Sequence, residues 1–226
     1  MSKQKQSRLF LTILVLLMTM VIAACTQQAS PEEKLFDIME ETVVVEEAFV
    51  AQQEPLQERE RQESEYYNQI IELSLEEFDQ IVEISDKALA SVAERKELVM
   101  TEQEAIQSSQ NTFAGAFDIV EGMEEGIAEE EARSLLDLMT KRYEAYDALN
   151  ESYQQSLRLD QELYELFQDK ELTLEALKAQ IEEVNASYED LSAKHDAFND
   201  ATNNYNEAKR TFYENAGLVD NEEAEV

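Results

Sequence analysis

Apolar residues recur at alternating spacings of three and four through most of the chain, in four blocks. The first block reads Leu35, Ile38, Thr42, Val45, Phe49, Gln52, Leu56, Arg59, Glu63, Tyr66, Ile70, Leu73. That spacing is a heptad seam and predicts a long helix. The seam thins from Leu56 to Glu65, where charged residues take its positions. Pro55 lies just before the thin part, and the register runs through it, which predicts a first helix kinked at Pro55 rather than divided there.

The second block repeats at sevens as Phe78, Ser85, Val92, Val99, Ile106, Phe113, Val120. Ser74 and Glu77 ahead of it have the spacing of a capping box. This predicts a second helix running to about Gly122. Gly122 and Gly126 then mark a reversal. The third block carries two adjacent stripes, one through Leu136, Met139, Tyr143, Tyr146, Asn150, Tyr153, Leu157, Tyr164 and Phe167, the other through Leu135, Leu138, Ala145, Leu149, Leu159, Leu163 and Leu166. So wide an apolar face suits a multi-helix bundle better than a two-stranded coil. The fourth block, from Leu174 to Phe212, is introduced by Thr173 as a cap and stopped by Gly217-Leu218.

Four helices of about 43, 48, 41 and 43 residues would each span ~60–70 Å. Similar lengths and short turns predict an all-α fold, an elongated antiparallel up-and-down four-helix bundle with coiled-coil-like packing. It forms a single domain over residues 30–217, followed by an acidic tail, 218–226. Counting from the shared end places Gln52, Asn150 and His195 at one level, with the Arg95–Lys96 pair also falling there. The expectation is a buried polar layer of Gln52, Asn150 and His195 that fixes helix register, as a buried Asn does in coiled coils.

The stretch before the first helix has a different character. Leu9 to Cys25 is an apolar run preceded by Lys3, Lys5 and Arg8 and ended by Ile22-Ala23-Ala24-Cys25. A basic start, a short apolar segment and small residues before a cut describe a signal peptide, and the run is short for a membrane span. The last four residues match the bacterial lipobox, which predicts cleavage between Ala24 and Cys25 and lipidation of the Cys25 thiol. Residues 1–24 are then a lipoprotein signal peptide and 25–29 a lipid-anchored tether. The anchor is an N-terminal diacylglyceryl cysteine, and the place is the outer face of the cytoplasmic membrane.

Charge narrows the partners. The chain carries a formal −33; its first 24 residues hold three bases and no acid, so the remainder carries −36. Such a load opposes binding to nucleic acid, anionic wall polymers or anionic lipid. With Cys25 lipidated, the one cysteine is not available for a disulfide, a thiolate site or a nucleophile.

Candidate chemistry is thin. The single histidine without a carboxylate partner is poor ligation for zinc or iron. No G-x-S-x-G, Walker or H-E-x-x-H pattern occurs. Acid pairs such as Glu124-Glu125 lack the EF-hand pattern. The tyrosines of the third and fourth blocks suit seam edges, with rings packed and hydroxyls reaching water. No catalytic residue, cofactor or metal site is expected.

The lipobox together with residues 49–97, and above all Gln53-Glu54-Pro55-Leu56, Tyr67-Asn68-Gln69-Ile70-Ile71 and Glu77-Phe78-Asp79-Gln80-Ile81, resembles the YkyA-type family of Gram-positive cell-wall-binding lipoproteins. The resemblance implies a helical bundle at the outer face of the membrane and brings no catalytic residues to transfer. The expected function is non-enzymatic: a wall-binding or structural module whose partner is peptidoglycan or the cell wall, reached as neutral polymer or through a cation bridge, or an envelope protein. The alternative is a protein-binding regulator of a membrane complex or wall hydrolase.

Overall fold

Helix α1 spans Pro31–Glu72, and its proline and acidic residues suit the first turn, where backbone N–H groups have no partner and the dipole favours negative charge. The computed structural model describes residues 29–219. The unit that begins at Pro31 carries all the helices of the described residues, and no strand occurs among them. The fold is an all-α helical bundle. Pro55 lies inside α1 without dividing it.

Ser74 and Glu77 meet as the spacing predicts. The Ser74 N–H and Oγ both donate to the Glu77 carboxylate, at 3.1 and 3.0 Å. A turn of 3₁₀ helix at Leu75–Glu77 follows, and α2 runs Phe78–Phe113. The expected second helix is broken at Ala114, and its remainder is a short α3, Gly115–Glu121. The break coincides with a close approach. A Cβ on Gly115 would lie 3.1 Å from Ile38 Cδ1, so the bare backbone there admits a side chain of α1.

Helix α4 is Ile127–Phe167 and α5 is Leu174–Asn215. Thr173 caps α5 by accepting from the Ala176 N–H at 3.2 Å. Gly217, at φ 65°, ends it in a Schellman arrangement: the Leu218 N–H donates to the Tyr213 carbonyl at 3.0 Å and the Gly217 N–H to that of Glu214 at 3.2 Å. The short α3 carries on the α2 rod, so the five α-helices of the described residues make four rods.

Sequential rods form hairpins. α1 packs on α2 and α5 on α4, and the hairpins join through α2 against α4. The α1 and α5 backbones barely approach each other, and long side chains bridge them at Phe36–Tyr213, Phe49–Phe198 and Glu40–Tyr213. Their burial patterns record this. On α5 the buried residues Val184, Leu191, Phe198, Tyr205 and Phe212 recur at sevens, with Tyr213 added at the end, and on α1 Leu35, Thr42, Leu56, Glu63 and Ile70 hold the same register, with Met39 added near the start. One buried position per heptad serves a helix with one close neighbour. By contrast, α4 buries sixteen residues over two stripes. The core divides in two along the rods, one cluster around Phe113, Met139 and Phe212 and another around Val92, Leu163 and Phe167.

Candidate functional site: a groove between the outer helices

Because α1 and α5 stay apart, a groove of about 800 Å³ lies between them, with α2 and α4 supplying its floor. Its walls alternate apolar groups (Phe49, Leu56, Ile181, Leu191, Phe198) with amides and hydroxyls (Gln53, Gln57, Asn185, Ser192, Asn199). Tyr67, Tyr146, Tyr153, Tyr164 and Tyr188 also line it. This is the expected makeup of a ligand cleft, mostly apolar with a few placed polar groups.

Below the groove sits a buried arginine. Arg95 of α2 has no exposed surface. Its Nη1 meets Glu63 Oε2 of α1 at 2.5 Å and Asp160 Oδ2 of α4 at 3.1 Å. Its Nε donates to the Tyr153 hydroxyl at 3.3 Å, and the guanidinium lies 5.3 Å from the Tyr153 ring centroid. The Tyr188 hydroxyl of α5 donates to Asp160 at 2.7 Å, and that of Tyr153 donates to Glu60. All four rods thus meet at one guanidinium. Burial pushes the Glu63 carboxyl up to about 7 against the opposing pull of Arg95, with Asp160 adding to the rise. Burial raises Asp160 as well, again against Arg95.

A second such layer lies nearer the α1 start. Arg142 of α4 grips Glu46 of α1 through two bonds of 2.7 Å and donates to Thr202 Oγ1 of α5 at 3.1 Å. Ser109 of α2 donates to the same Glu46 at 2.5 Å. Charge-assisted, bidentate pairing is the strong form of this contact, and it ties α1 to α4 and α5 where their backbones are apart.

Between the two arginine layers the floor has an acid with no cation. Glu102 of α2 is 7% exposed and accepts from the Gln53 amide of α1. Among the described residues no base lies within ion-pair distance of it. Burial, with the charge of Glu60 as a second cause, pushes its carboxyl up to about 7. Asn150 is buried nearby, its amide donating to the Tyr146 hydroxyl at 3.4 Å and its carbonyl accepting from Gln154 at 2.7 Å.

These positions correct part of the expected polar layer. Asn150 is buried as predicted. Gln52 is only half-buried and donates to the Ala48 carbonyl of its own helix at 3.0 Å. His195 is exposed, paired with Asn199 at 3.2 Å, and stands on the groove wall. Position 195 lies between the buried heptad positions Leu191 and Phe198, on the flank facing the gap rather than α4. The polar break in the core does fall at mid-bundle, but Gln53 and Glu102 occupy it. Counting from the helix ends misplaces α2, because Glu102 rather than Arg95 stands opposite Gln53. Of the charged groups in these layers, Glu63 was visible as a charged seam residue; the half-buried Glu46 and the buried Glu102, Arg142 and Asp160 carried no comparable signal. The expected signal peptide with Ala24, the anchor Cys25 and the acidic tail beyond Val219 lie outside the described residues.

Among the described residues no helix is long and apolar enough to cross a membrane, and no cluster of three or more His, Cys, Asp or Glu has a metal-holding arrangement. Fold and groove together define a helical-bundle protein with an open lengthwise cleft rather than a closed core. The family follows from the sequence. Residues 30–215 match the model of the YkyA family, described as "Putative cell-wall binding lipoprotein", and the chain belongs to that family. It is 32% identical over 165 residues to the "Uncharacterized lipoprotein YkyA" of Bacillus subtilis (strain 168), covering 73% of this chain and 74% of that one. A crystal structure of a conserved Staphylococcus aureus protein of unknown function shares the fold, with a TM-score of 0.63 at 12% identity, over 82% of this chain and 97% of that one.

Proposed function

We propose that this is a non-enzymatic, lipid-anchored envelope protein that binds cell-wall material in the groove between α1 and α5. The anchor is Cys25, cut free after Ala24 and carrying the diacylglyceryl group, which holds the bundle at the outer face of the cytoplasmic membrane. The observation that carries the reading is the groove itself. A bundle that served only as a spacer would gain by closing α5 onto α1, at about 25 cal/mol for each Å² of apolar surface covered. Instead the gap between them is lined by aromatic rings and by amide and hydroxyl groups.

The arrangement favours holding over turnover. Arg95 is ringed by Glu63, Asp160 and two tyrosines, so the strongest charges of the site bind one another. The acidic surface disfavours anionic wall polymers, which leaves neutral or amino-bearing material as the ligand. A zymogram with the protein should therefore show no clearing.

The test is co-sedimentation of the full lipidated chain, in detergent, with purified wall. Binding is expected, and Ser192→Trp, which fills the groove from an exposed wall position, should abolish it. No binding by the native chain, or equal binding by the filled variant, refutes the reading. Capture of a membrane or wall protein in place of wall polymer would favour a protein-binding regulator.

A further inference from the structure

We propose that the groove takes a ligand bearing a primary ammonium group, seated on Glu102, with the ligand's carbon frame along Leu56, Val99 and Phe198. The inference rests on the reading of the groove as the binding site and names the chemistry that it selects.

Two observations carry it, and they are independent. The first is the position of Glu102. It lines the groove floor and is nine-tenths buried, yet among the described residues its carboxylate is held only by the neutral amide of Gln53. The other buried carboxylates of this bundle have an arginine, Glu63 and Asp160 sharing Arg95, and even the half-buried Glu46 has Arg142. Arg95 stands seven residues from Glu102 on α2, ~10 Å along the axis, and its charge is already shared among carboxylates. A buried ion without a counter-ion costs several kcal/mol. A site that keeps one beside an open cleft is complementary to a cation that arrives from outside.

The second observation is the composition of the walls around it. Glu60 adds another acid to the lining, while among the described residues no lysine and no arginine lines the groove. The neighbours of Glu102 offer acceptors as well: the Asn150 carbonyl and the Tyr146 hydroxyl lie on the α4 side of the same groove. An ammonium group has three donors and no acceptor, so a carboxylate, an amide oxygen and a phenol oxygen form a matching set. Phe49, Tyr146 and Phe198 stack edge to face beside it, at centroid separations of 5.7–5.9 Å. Those rings give a cation a π face and a carbon frame an apolar wall.

The ammonium could be carried by an amino sugar or by a free polyamine, and titration calorimetry with the full lipidated chain at physiological salt separates them. The probes are a glucosamine tetramer, its N-acetylated counterpart and spermidine. Binding of either amine probe, with the acetylated tetramer at least tenfold weaker than the free tetramer, is the expected result; the tighter of the two amines identifies the source. Glu102→Gln keeps the hydrogen bond and removes the charge, and should weaken the amine at least tenfold. Glu104→Gln, an exposed acid two residues away, should change it less than twofold. Thermal melts of both variants check that the bundle is intact. No binding by either amine, equal affinity in Glu102→Gln, or equal loss in Glu104→Gln overturns the proposal. Wall sedimentation that survives Glu102→Gln but fails with Ser192→Trp would overturn it while leaving the wall-binding reading standing.

Discussion

The Arg95 guanidinium of α2 and the Glu63 carboxylate of α1 meet at 2.5 Å with both groups buried. The pair sits below an open groove, and Asp160 of α4 and Tyr188 of α5 close around it. Apolar contact between α1 and α5 is confined to a few side chains, Phe36 on Tyr213 and Phe49 on Phe198, and the two arginine layers add directional ties among all four rods. Each draws at least one polar group from every rod, and a one-turn slip of any rod would leave an ion without its partner.

Arg95→Met tests this. It removes the shared cation and leaves Glu63 and Asp160 facing one another in a dry site. Breaking a buried pair by removing one partner costs about 3–5 kcal/mol, and urea unfolding should show a loss of that size at neutral pH. Protonation of the two acids relieves part of it, so the deficit should shrink as the pH is lowered towards 5. A deficit below 1 kcal/mol at pH 7.5 would mean that the layer does not tie the rods together.

Glu102 makes a prediction with a definite sign in pH. Its carboxyl is raised from 4.5 to about 7 by burial and by Glu60. Between those values the folded state holds a proton that the unfolded state has released, so this group's contribution to stability falls as pH rises through that window and levels off above it. Glu102→Gln stays neutral throughout. The variant should match the native chain near pH 4.5 and exceed it by up to about 3 kcal/mol at pH 8, each tenfold difference in proton affinity being worth about 1.36 kcal/mol. Chemical denaturation at four pH values would measure this. A constant difference across the range would rule out a buried ionising Glu102.

The helices were readable because their seams are long and Gly and Pro are sparse. The caps at Ser74–Glu77 and Thr173 and the stop at Gly217 each rest on a local motif whose geometry is independent of the rest of the fold. The groove was not readable. Whether α1 meets α5 depends on how far apart the hairpins sit, and a seam with one buried position per heptad reads the same as one with two when apolar residues fill both. His195 therefore looked like part of a buried layer. The buried ions escaped for a related reason: Arg142 and Asp160 adjoin seam positions, and nothing local distinguishes an arginine folded inward from one facing water.

His195→Leu is accordingly a surface substitution. The ring is exposed and bonded only to Asn199, so the melting temperature should change by less than a degree or two, corresponding to about 0.5 kcal/mol. A drop of several degrees would restore the histidine to a structural layer.

The anchor makes the last prediction. A single acyl chain holds a protein to a membrane only weakly, at ~0.8 kcal/mol per buried methylene, and two chains make attachment stable. The diacylglyceryl group proposed for Cys25 would supply two, and among the described residues no helix is long and apolar enough to cross the bilayer in its place. Cys25→Ser, expressed in a Gram-positive host, should therefore lose incorporation of labelled palmitate and leave the membrane fraction, appearing as unprocessed precursor or in the medium. The bundle begins at Pro31, so its circular dichroism and melt should match those of the native chain. Retention in the membrane without label would place the attachment in an uncleaved Leu9–Cys25 segment instead of the lipid.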